Sequence, residues 1–96
     1  MVKHIVCFKL LDRSEASKME AKNILLSMEG KVSPLESIEV GVDFLGSPRS
    51  YDIILTTTFK TKSDLDAYQI NPYHVNVVKA YMHSHVETSI AVDYEF

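Results

Sequence analysis

Tyr68, Asn71, Pro72 and His74 fall within one short segment, "AYQINPYHVNVV", and their types suit proton-transfer chemistry. Asparagine is among the best helix N-caps and proline is favoured at the first helical position, so Asn71-Pro72 ends one helical segment and opens another. His74 becomes the third residue of the new segment, where the positive end of the helix disfavours imidazolium. A neutral imidazole accepts a proton near neutral pH, and a tyrosine hydroxyl can donate to a developing enolate. His74 and Tyr68 are therefore the candidate base and donor. On a regular helix His74, Val78, Tyr81 and His85 would form one stripe. His4 shares strand parity with Val2, Val6 and Phe8, and a titratable ring on an apolar face must find a partner or line a cavity. The same spacings also describe histidines that are buried and hydrogen-bonded for structural reasons alone.

Other chemistries find less support. His83-x-His85 would point to different sides of a helix, and no Cys, Asp or Glu with ligand spacing accompanies the pair, so no metal site is expected. No Gly-rich phosphate loop and no nucleophile elbow is present, and no cofactor is expected. Cys7 is the lone cysteine; it reads as a small core or interface residue in a chain without a disulfide framework. A net charge of -3 with scattered lysines argues against a nucleic-acid partner. Apolar runs are too short for a membrane span, and a cytoplasmic address is expected.

These residues need a scaffold, and alternation supplies its outline. Val2, His4, Val6, Phe8 and Leu10 alternate with Lys3, Ile5, Cys7 and Lys9 as one strand. Asp12 with Glu15 predicts a capped helix start, with Ala21, Ile24, Leu25 and Met28 on the buried face and Gly30 as its C-cap. "SIEVGVDF", Ser37 to Phe44, is the second strand, and a third runs from about Tyr51 to Lys60. Ser63 with Asp66 predicts the cap of a helix over "DLDAYQI". The segment after Asn71-Pro72 reaches His83 or His85, and a last strand alternates from Thr88 to Phe96. The order β-α-β-β-α-β in one domain, residues 1–96, predicts an α+β, ferredoxin-like fold with four antiparallel strands and helices on one face. If the helices cover Val6, Phe8, Ile38, Val40, Val42, Ile90 and Val92, then Ile5, Cys7, Gly41, Ile54, Thr56, Thr58 and Ala91 lie on the other face. That face is nearly uncharged along its middle, which predicts a homodimer through the sheet faces.

"VKHIVCFKL", "SIEVGVDF", "YDIILTTTF", "DLDAYQINPYHVNVV" and "VDYEF" resemble the stress-responsive A/B barrel family over nearly the whole chain. The most specific parts are K-H-I-V at the start and the segment holding Tyr68, Pro72 and His74. The resemblance implies a dimeric α+β barrel in which two ferredoxin-like subunits face each other across their sheets. In a plant branch of the family the matching tyrosine and histidine are the acid/base pair of polyketide cyclases. Carried over, this assigns Tyr68, His74 and the pocket histidine His4. Asn71 stands where the family commonly has histidine, and Ile53 where the cyclases place one on the third strand. The expected function is cofactor-independent acid/base catalysis, of lyase or cyclase type, on a small and partly apolar ligand. The alternatives are a non-catalytic stress-response or ligand-binding dimer and, on a related barrel, cofactor-free monooxygenation.

Overall fold

In the computed structural model, which describes residues 1–96, β1 (Val2–Leu10) lies inside a four-stranded sheet of order β2-β3-β1-β4. The other strands are β2 (Ser37–Val42), β3 (Ile53–Phe59) and β4 (Val86–Glu95), all antiparallel to their neighbours. Helix α1 (Glu15–Leu26) follows β1, and α2 (Lys62–Gln69) follows β3. The chain then re-enters helical form at Pro72, takes a π-helical course over His74–Lys79 and continues as α3 (Ala80–His85). This is the predicted ferredoxin-like α+β fold.

The core lies between the sheet and the helices. β3 shows why: Ile53, Leu55, Thr57 and Phe59 are buried on one face while Ile54 on the other is 42% exposed. Ala21 and Leu25 of α1, Met28 just beyond it, Tyr68 of α2 and Met82 of α3 close over that surface. Ile24 is only partly buried. The connection from β1 to α1 is pinned at Asp52, whose fully buried carboxylate accepts from Leu10 N at 2.9 Å and Arg13 Nε at 3.0 Å. Such a charge tolerates burial only because it is paired and hydrogen-bonded.

Both expected capping boxes are displaced. Ser14, not Asp12, caps α1 by accepting from Ser17 N, while Asp12 turns the chain before it by accepting from Ser14 N. Thr61, not Ser63, caps α2 and accepts from Asp64 N. Serine, threonine and aspartate are near-equal caps, so where several cluster the packing of the helix decides among them. Gly30 has the left-handed φ of 78°, but in the turn that follows; Ser27 is the C-cap. β2 ends at Val42 rather than Phe44, because Asp43 begins a turn and accepts from Gly46 N. Phe44 is left 97% exposed.

One correction changes the reading of the whole sheet. Ile90 pairs with Cys7 and Val92 with Ile5, whereas Ala91 pairs with Val6 and Asp93 with His4. Directly paired residues of antiparallel strands share a face. Ile90 and Val92 therefore lie on the open face, and Ala91 and Asp93 face the helices. The parity was clear in the sequence, but its assignment supposed that apolar residues must turn toward helices. Here they turn away from them: Ile54, Ile90 and Val92 are 42%, 53% and 58% exposed.

Candidate active site

Tyr68 arrives at the last turn of α2, and Asn71 immediately resets the helix. Its Oδ1 accepts from Tyr73 N at 2.9 Å and from His74 N at 3.3 Å, the cap that the Asn-Pro pair predicted. The reset folds His74 back onto Tyr68, and their rings stack at 4.1 Å between centroids with an interplanar angle of 26°. His4, from the middle of β1, meets the Tyr68 ring edge-on at 5.9 Å. Phe59 backs the tyrosine from β3 at 5.1 Å. His4 is thus brought from the far end of the chain to one wall with Tyr68 and His74.

That wall borders a cavity of about 190 Å³ between sheet and helices. Val6, Phe8, Leu25, Leu55, Val78 and Met82 give it an apolar body, and Gln69 and Lys79 join His4, Tyr68 and His74 as its polar members. A cavity of roughly 150 Å³ admits benzene, so this one takes a ring and a few further atoms, not an extended chain.

The electrostatics of the wall follow from burial. His74 is buried, which pulls its pKa down to about 4, and the charge of Lys79 adds to that; the nearby backbone carbonyls of Tyr68 and Gln69 act against it without forming a hydrogen bond to the ring. The ring is neutral at pH 7, as its helical position predicted, but dehydration and not the helix end is the larger cause. Burial pushes the Tyr68 phenol well above its ordinary value, so it stays protonated and keeps a hydrogen to donate. The Tyr68 hydroxyl and His74 Nδ1 are both buried without a hydrogen-bond partner.

Asp93 is the residue that sequence reasoning missed. Its carboxylate accepts a hydrogen bond from His4 Nδ1, which places a proton on that nitrogen and fixes the orientation of the ring. With β4 assigned to the wrong face, Asp93 had no route to His4; a carboxylate on the apolar-poor parity of a strand beside His4 was the available signal. The expected stripe is also redrawn. His74, Val78 and Met82 are buried, whereas Tyr81 and His85 stack on each other at 3.9 Å, partly exposed. The π course changes the turn length, and the α-helical spacing no longer holds. His83 is exposed, and no three His, Cys, Asp or Glu side chains cluster as a metal site would require.

The model of the stress responsive A/B barrel domain, Dabb, matches residues 2–96. The chain belongs to this family. Among solved structures, a chain from Bacteroides fragilis, described as a dimeric protein of unknown function with a ferredoxin-like fold, is 32% identical. The match covers 99% of this chain and 95% of that one, with a TM-score of 0.80. An Arabidopsis thaliana protein is 20% identical at a TM-score of 0.85, over 100% and 95% of the two chains. A hydroxynitrile lyase from Passiflora edulis superposes at 0.80 with 14% identity, over 97% and 90%, which shows a shared fold. No curated protein matches the chain. No helix of this Dabb protein is long and apolar enough to cross a membrane.

Proposed function

We propose that this Dabb protein is a homodimer, joined through the open sheet faces, whose subunits each carry a cofactor-independent acid/base site for a small, largely apolar carbonyl compound. The observation that carries the catalytic half is the stacked pair of Tyr68 and His74 in a cavity wall, each with a buried polar atom lacking a partner. Leaving a buried polar group unpaired costs about 1–3 kcal/mol, a cost that a ligand removes by supplying the partner. His74 takes the proton α to the carbonyl and becomes imidazolium. The electron pair of that C–H bond passes to the carbonyl oxygen, which accepts a hydrogen bond from the Tyr68 hydroxyl as it becomes an enolate. The new anion beside the new cation offsets the low basicity of the buried ring. His4, held by Asp93, adds a second imidazole edge-on to the pair. A hydroxynitrile lyase built on the same fold is in keeping with such chemistry.

Dimerisation is supported by the apolar open face and by the Bacteroides fragilis relative, which is described as dimeric. A solvated sheet face would be polar.

Hydrogen-deuterium exchange tests the reaction. Phenylacetone in deuterium oxide should exchange its α-hydrogens faster with the protein than in buffer, and His74→Ala and Tyr68→Phe should each abolish the excess. Binding of phenylacetone without any exchange above buffer would make the site a ligand-binding module, the second reading left open by the sequence.

A further inference from the structure

The π-helical stretch has a definite geometric effect on the cavity. In an α-helix, residues five apart point about 140° away from each other. Bonding from residue i to i+5 puts them on successive turns of the same side, and single π turns are frequent at functional sites. The stretch runs from His74 to Lys79, which are five apart, and both line the cavity. Lys79 is also unengaged. It forms no ion pair within 4.0 Å and lies over no aromatic ring. Every other lysine except Lys22 has an acidic partner or an aromatic face, and Lys22 is not on the cavity.

We propose that Lys79 is the specificity-determining residue of this site, selecting small oxo acids whose apolar, carbonyl-bearing body fills the cavity and whose carboxylate pairs with the Lys79 ammonium. The inference rests on the ligand site proposed above and narrows it to one substrate class. The lining offers no other lysine or arginine and no carboxylate, so an anionic end meets attraction at Lys79 and no like charge on the lining. Lys79 is both exposed and part of the lining, so its ammonium can stay solvated at the mouth while the apolar lining takes the rest of the ligand. The depression of the His74 pKa by Lys79 agrees with the closeness of the two groups. A bound carboxylate relieves that repulsion and makes His74 a better base when a substrate of the right charge is present.

The test compares a charged and an uncharged probe of one shape, phenylacetate and phenylacetamide, by ligand-observed NMR at low salt. Wild type should prefer phenylacetate by roughly fivefold, the upper end for a partly exposed ion pair. Lys79→Met should bind both probes alike, Lys79→Arg should restore the preference, and Lys22→Met should leave it untouched. Circular dichroism of each variant checks that the fold is intact. Equal binding of the two probes by wild type would overturn the role of Lys79 and leave the ligand site standing. A preference that survives in Lys79→Met would do the same. Binding of neither probe by wild type would overturn both.

Discussion

His4 and Asp93 face each other across β1 and β4, and the Asp93 carboxylate accepts the hydrogen bond of His4 Nδ1. The pair joins a buried ring on the cavity to a carboxylate whose side chain is 47% exposed. Removing the carboxylate should change the tautomer of His4 more than it changes stability. Asp93→Ala is expected to lower stability by less than about 1 kcal/mol, the range of partly exposed pairs. The nitrogen-15 shifts of His4 should move from the Nδ1–H form toward a mixture, and α-hydrogen exchange should slow. Unchanged shifts would deny Asp93 its positioning role.

His74 should leave a signature in the acid limb of stability. Its folded pKa of about 4 lies below the ordinary histidine value of about 6.5, so the unfolded chain binds more protons between those values. Stability then rises with pH across that window and is level above it. The loss on acidification from this group is on the order of 2 kcal/mol, discounted from the full shift for residual solvent screening. Urea denaturation at a series of pH values should show the slope in wild type and a flatter profile in His74→Ala. That variant is expected to fold, to keep its oligomeric state and to lose probe binding.

The open face predicts a change of mass. Light scattering on wild type at micromolar concentration should give twice the chain mass of 10.9 kDa. Ile54→Lys places a charge among Cys7, Ile90 and Val92, where burial against a second copy would leave it unpaired. The variant should give the mass of one chain while its circular dichroism stays native. A wild type that scatters as one chain would remove the dimer.

Asn71 caps the segment that carries His74. Asn71→Ala should cost about 1 kcal/mol through the lost bonds to Tyr73 N and His74 N. For a domain of this size that is roughly 4–8 °C in Tm. Calorimetry of the variant reads it directly.

The sequence carried the architecture well because strand alternation and the Asn-Pro restart are local signals. Ile53, Leu55, Thr57 and Phe59 could be read off as one buried face, and Tyr68 and His74 as neighbours of a helix break. Their convergence with His4 came from the match to a family pattern, since no local rule brings β1 beside α2. Asp93 was lost through a single inversion, because hydrophobic parity identifies two faces but not which one meets the helices. When the outer face is also apolar, the usual guide points the wrong way. The π course of His74–Lys79 was equally hidden. Valine, asparagine and lysine in "HVNVVK" have no preference that separates a wide turn from an ordinary one, so the choice lies in tertiary packing.

That wide turn holds one residue more than an α-helical turn closing the same bond. Taking out Asn76, which is exposed, would leave the residue now numbered 79 four places after His74 and Met82 seven places after it. Four and seven are the same-face spacings of a plain α-helix. A chain shortened at this point could therefore present the same cation and the same thioether to the cavity from a regular helix. The segment has one residue of slack, and a deletion there would be nearly silent in three dimensions.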